Sequence, residues 1–232
     1  MIKFFRRIRY NLMETGKTGK YFKYAIGEII LVVIGILIAL SINNWNESRK
    51  QDVTEKEFIT GILNDLKQDK AYIELVIKIA DKKQNTYKHI SNNLSELYKT
   101  NRKYLDSLLR TYFVSQRTFY PILGSYQSAI SGNEISKFKN KKFSAFVTKL
   151  YNSTYDRILD NGETFDKRWE FLSNKYSHER RTGLIRDMTA SQQIEFLDDL
   201  SYHMKALDFY VDQLNDALVE ISEFLNNNIE EI

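Results

Sequence analysis

The sequence predicts an all-α protein: an amino-terminal transmembrane helix followed by an antiparallel, coiled-coil-like bundle of long helices. Three observations predict it. One proline and nine glycines in 232 residues leave few breaks for long helices. From Tyr24 to Ile42 the only charged residue is Glu28. Beyond Trp45, apolar residues recur at heptad spacing.

The first element is residues 1–23, a basic tail. Lys3, Arg6, Arg7, Arg9, Lys17, Lys20 and Lys23 stand there against Glu14 alone, so the tail is +6 and the remainder −2 of a net +4. A generally basic surface for nucleic acid is therefore not expected. In "IKFFRRIRYNL", Ile2, Phe5, Ile8 and Leu12 share a helical face, which suits a short helix lying on an anionic leaflet; an unstructured basic tail is the alternative.

The second element, residues 24–43, is the transmembrane helix. Nineteen residues at 1.5 Å rise span roughly 28 Å, close to a hydrocarbon core. Tyr21, Phe22 and Tyr24 flank the run on one side and Trp45 on the other, as interfacial aromatic anchors do. The charge asymmetry places the amino terminus in the cytosol and the rest across the membrane. A cleaved signal peptide competes, since Ala39-Leu40-Ser41 offers small residues at a cleavage spacing. The long basic stretch and an apolar run that begins before Glu28 favour the uncleaved anchor.

Glu28 shares a helical face with Gly35, and Ala39 lies beside it. Gly35-x-x-x-Ala39 is a small-x-x-x-small pair that lets membrane helices approach closely, and a carboxyl group there can hydrogen-bond across the contact. Snorkelling of Glu28 toward headgroups and proton coupling are the two other readings of the acid.

The third element, residues 44–232, is the bundle domain. Ile59, Leu66, Ile73, Ala80, Tyr87 and Leu94 form one seven-residue row, and Ile62, Val76, Ile90 and Leu97 a second, interrupted by Asp69 and Lys83. Nothing between Ile42 and Asp52 forces a break from the membrane helix. A second segment starts near Tyr104, restarts at Pro121 and stops at Ser131-Gly132-Asn133, with Gly132 expected in the left-handed conformation. A third runs from about Lys141 to Tyr176, and "SHERRTGLIRDM" is expected to be a polar loop. The last helix opens on a capping box, Thr189 with Gln192. It then alternates Leu197, Met204, Val211, Leu218 and Leu225 with Leu200, Leu207, Leu214 and Ile221.

Motifs of chemistry are sparse. Gly16-Lys17-Thr18 lacks the earlier glycine and the preceding strand of a phosphate-binding loop. Glu195, Asp199 and His203 share a helical face, but without Glu-x-x-His pairs they are expected to be a solvated polar face and no metal site. The arginines of "HERRTGLIRD" could receive an anion, although a solvated loop explains them as well. Abundant Tyr and Phe at helical spacing read as core. No cysteine is present, so thiolate chemistry is excluded. An enzyme is not expected, and no cofactor is implied.

The opening string "MIKFFRRIRYNLMETGKTGKYFKYAIGEIILVVIGILIALSINNWNESRK" resembles that of an uncharacterised family of small, single-span inner-membrane proteins of flavobacteria and their relatives. "TFYPILGSYQSAISGNEISKFKNKKF" resembles the same family more loosely. The resemblance implies a bacterial inner-membrane location with a periplasmic helical domain, and it carries no activity. The expected function is a membrane-anchored interaction or scaffold protein whose partners are the lipid bilayer, itself as a homo-oligomer, or another envelope protein, with no nucleic acid. A sensor or energy-coupled component, using Glu28 or a ligand site in the bundle, is the alternative.

Overall fold

The computed structural model describes Arg6, Tyr10 and residues 18–114 and 116–228. The chain divides into two compact units, Met1–Thr54 and Glu55–Ile232. Expectations for Lys3, Arg7, Arg9 and Lys17, and for the side chains of Lys20 and Tyr21, lie outside the described residues.

α1 is one helix, Thr18–Thr100. Within the first unit it holds an 18-residue window of mean hydropathy 2.8, none of it buried, so this stretch is long and apolar enough to cross a membrane. Phe22, Tyr24 and Trp45 are exposed, and so are Arg6, Lys23, Gly35 and Ala39, whereas Glu28 is half-buried. A Cβ built on Gly35 would meet nothing within 4 Å.

In the second unit the chain folds as an all-α bundle. The elements after α1 are α2 (Arg102–Tyr112), α3 (Gly124–Ser131), a 3-10 turn (Ile135–Lys137) and α4 (Lys141–Lys149). A π turn (Leu150–Thr154), α5 (Tyr155–Lys175), α6 (Ser177–Thr182) and α7 (Ala190–Asn227) complete it. Hydrogen bonds give the directions. Lys83 meets Tyr112, Tyr72 meets Thr118, and Glu55 meets Asn140, so the second member descends along α1, while Tyr98 meets Met188 just before α7. α4 and α5 then run parallel to α1. The offset is 85 residues at Glu55–Asn140 and 86 at Asp69–Tyr155, and Lys83 over Trp169 keeps the latter. α7 is antiparallel to them, with Phe224 on Phe146, Gln213 on Asn161 and Phe196 on Tyr176. The result is an up-down-up-down arrangement whose second member is broken.

The break corrects two expectations. The chain does not restart at Pro121 but stays irregular until Gly124, because Asp69 and Asp65 hold the backbone N–H groups of Ile122 and Ser125 from the side. At the end of α3, Gly132 has φ −81° and Asn133 takes the left-handed conformation at φ 53°. Glu134 N–H bonds to the Ala129 carbonyl and Asn133 N–H to that of Ile130, a Schellman closure shifted by one residue, which asparagine tolerates.

The third segment is continuous as expected, but it carries the π turn, which buries both Leu150 and Tyr151. "SHERRTGLIRDM" is not a solvated loop. Its first half is α6, closed by Gly183 at φ 64°, and it buries Ile185 and the carboxylate of Glu179. Burial alone would push that carboxyl up, but the Arg186 guanidinium, bonded to both oxygens at 2.6 Å, holds it below the usual carboxylate range. In α7 the capping box is present, and both predicted rows line the core, with Leu197 and Leu218 half-buried.

Candidate functional site

The irregular residues 113–114 and 116–123 would leave backbone groups unpaired inside the bundle unless side chains met them. They do. The Lys83 ammonium, 2% exposed, donates to the carbonyls of Tyr112 (2.9 Å) and Val114 (3.0 Å), at the C-terminal end of α2 where a cation is favoured. The Tyr72 and Tyr151 hydroxyls donate to the carbonyls of Thr118 and Ile122, and the Tyr210 hydroxyl oxygen accepts the N–H of Phe119. Asp69, 1% exposed, accepts from Ile122 N–H at 2.9 Å and from the Tyr155 hydroxyl at 2.8 Å.

The same logic extends along α1. Glu55 accepts the N–H groups of Lys139 and Asn140 at the start of α4, and Asp65 accepts that of Ser125 at the start of α3. Acids of α1 thus face helix starts and its buried lysine faces a helix end, each matching the helix dipole. Asp69 and Lys83, seen in the sequence only as flaws in an apolar row, are the groups that hold the broken member in place.

Burial sets their protonation. Desolvation raises the Asp69 pKa to about 6, with the nearby Asp65 adding to it against the two hydrogen bonds. It lowers that of Lys83 to about 7, and the positive charge of Arg180 acts in the same direction. No carboxylate pairs with Lys83 among the described residues. Its Nζ lies instead over the rings of Trp169 and Tyr112, at 3.7 and 5.6 Å.

His203 departs from its expected place. It is fully buried, stacked on Phe165 and tilted against Trp169. Its Nε2 meets the carbonyl oxygen of the Gln116 side chain at 3.1 Å, so Nε2 carries the proton and Nδ1 accepts from the Tyr112 hydroxyl at 2.8 Å. Gln116 in turn donates to Asp166 at 2.7 Å, as does the Thr118 hydroxyl at 2.6 Å. Burial, with Lys83 and Arg168 nearby, lowers the His203 pKa to about 3. The sequence did hold a signal for this: Phe196, His203, Tyr210, Ala217 and Phe224 form a third seven-residue row in α7.

Glu195 and Asp199 stay on the flank, where both receive Lys175. Among the described residues no group of three or more His, Asp or Glu is placed to hold a metal ion.

The polar core opens on a cleft of about 400 Å³. Gln116, Arg117, Thr118 and Tyr120 line it from the irregular stretch, Asp166 and Trp169 from α5, Tyr72 from α1 and Arg180 from α6. The sequence-predicted interface residues Glu28, Gly35 and Ala39 belong to the other unit.

Residues 28–201 match the profile of a family described as Family of unknown function (DUF6090). The chain has no match among curated proteins or among solved structures.

Proposed function

The chain belongs to this family of unknown function, and from that premise we propose that it is a membrane-anchored interaction or scaffold protein of a bacterial inner membrane. Its amino terminus lies in the cytosol and residues 44–232 in the periplasm. It acts by contact, as a homo-oligomer or as an accessory subunit of an envelope complex.

The observation that carries this reading is the exposed apolar stretch of α1. Twenty-one residues from Phe22 to Ile42 carry only Lys23 and Glu28 as charges and have no core of their own to enter, which in water would expose a large apolar surface. The buried acids and lysine of the bundle support the same reading, since they are engaged in holding backbone. The face that carries Glu28, Gly35 and Ala39 is where two spans would pack, the small residues admitting close approach.

Three measurements test it. Compartment-specific reporters fused to the carboxy terminus should be active only outside the cytosol; cytosolic activity overturns the topology. Purification in mild detergent should give a particle larger than the monomer, through copies of the chain or a co-purifying envelope protein. Gly35→Leu should weaken self-association in a membrane two-hybrid assay. A monomer with nothing bound, and no effect of Gly35→Leu, would sink the proposal.

A further inference from the structure

The cleft beside the broken member has a composition that the fold alone does not require. A regular helix in place of residues 116–123 would bond its own backbone internally and close the bundle, as in simpler four-helix arrangements. Here the stretch is held irregular by Lys83, Asp69 and three tyrosines, two of the holders being buried ionisable groups, which are costly. What the irregular backbone creates is the cleft.

Its chemistry is uneven in charge. The guanidinium groups of Arg117 and Arg180 line it with no ion-pair or hydrogen-bond partner among the described residues, and Asp166 is the only acid of the lining. Behind Trp169 lies the Lys83 ammonium, also without a carboxylate. Of the remaining lining, Tyr72, Tyr120 and Trp169 are aromatic, and Gln116 and Thr118 are the two residues that donate to Asp166. The volume falls within the range of small-molecule sites, and the aromatic side chains and two arginines supply an apolar surface and convergent donors.

We propose that this cleft binds a small aromatic oxyanion, an aryl carboxylate or aryl phosphate, with the anionic group on Arg117 and Arg180 and the ring against Trp169 and the two tyrosines. Guanidinium groups present paired N–H donors to carboxylate or phosphate oxygens, and planar rings stack on Trp and Tyr faces. Asp166, already accepting from Gln116 and Thr118, favours a ligand with a hydrogen-bond donor on its ring over one with a second anionic group. The inference goes beyond the scaffold reading and stands or falls separately from it.

The test uses the full chain in detergent. Trp45 and Trp169 are its two tryptophans, so Trp45→Phe leaves Trp169 as the sole reporter. Titration with phenyl phosphate should change Trp169 emission saturably, with equilibrium dialysis measuring binding directly. Arg117→Gln and Arg180→Gln should each weaken binding about tenfold or more, the loss expected for one charge-assisted contact, with unchanged melting temperatures because both residues are exposed. Inorganic phosphate should bind at least about tenfold more weakly than phenyl phosphate. No binding by dialysis, affinity unchanged in both arginine variants, or inorganic phosphate binding as tightly as the aryl ester would overturn the proposal.

Discussion

The ammonium of Lys83 lies 3.7 Å from the centroid of the Trp169 ring while donating to two backbone carbonyls at the end of α2. Ring face and carbonyl dipoles together replace a counter-ion. Lys83→Met keeps the length of the side chain but strands the carbonyls of Tyr112 and Val114, and it should destabilise the bundle by about 1–3 kcal/mol at pH 7. Urea melts of the two proteins give the value.

The pH dependence of that difference has a definite sign. The folded pKa of Lys83 is about 7 against an unfolded 10.5, so between those values the unfolded chain binds more protons. Wild-type stability, relative to Lys83→Met, should therefore rise from pH 7 to pH 10.5, by at most roughly 1.4 kcal/mol per unit. A flat difference across that window would mean that the lysine is solvated.

Asp69 behaves in the opposite sense. Its folded pKa of about 6 lies above the ordinary 3.8, so the folded state holds the proton more tightly. Relative to Asp69→Asn, wild-type stability should fall as pH rises from about 4 to 6 and level off above. Asp69→Leu should cost about 1–3 kcal/mol below pH 4, because Ile122 N–H and the Tyr155 hydroxyl lose their acceptor, and progressively less as pH rises to 6.

His203 should remain neutral, with the proton on Nε2, throughout pH 5 to 8. Long-range nitrogen–proton NMR correlations of the imidazole report both the tautomer and any titration. The folded pKa of about 3 lies below the ordinary 6.5, so stability derived from this residue is lost as pH falls through that interval. His203→Leu should cost about 1–3 kcal/mol by stranding the Tyr112 hydroxyl and the Gln116 side chain.

Leu214 is fully buried in the predicted seam of α7, and Leu207 is nearly so. Leu214→Asp should cost several kcal/mol by placing a carboxylate among apolar side chains. Circular dichroism melts should show a much lower midpoint; an unchanged one would place that seam outside the core.

Helix existence was legible wherever apolar period and end signals agreed. The row from Ile59 to Leu94 and the capping box at Thr189 are examples, because each rests on local spacing that packing reinforces. What the sequence hid are the places where side chains replace backbone partners. Asp69 and Lys83 look like defects until the carbonyls of Tyr112 and Val114 and the N–H of Ile122 stand beside them, and those lie 29 to 53 residues away. Pro121 pointed to a helix start because its ring fits one, yet tertiary anchoring moved the start to Gly124. The tyrosines read correctly as core, but the hydroxyls of Tyr72, Tyr151 and Tyr210 are what the irregular stretch uses. His203 is hidden in the sequence because two leucine-rich rows suffice to explain α7, and the row that carries it lies beside them.

The π turn at Leu150–Thr154 has a consequence for chain length. On α1 the residues Glu55, Asp69 and Lys83 are evenly spaced at fourteen, whereas their counterparts Asn140, Tyr155 and Trp169 are spaced at fifteen and then fourteen. The wider turn stores the surplus residue, as a vernier takes up a mismatch between two scales. Deleting one residue there would let the segment run as plain α-helix, satisfying every local preference. It would also pull one helix end past the other by a whole step, turning either Asn140 from Glu55 or Trp169 from Lys83 by roughly 100°. The bundle can therefore tolerate a change in side chain at many positions in this segment more readily than a change in its length.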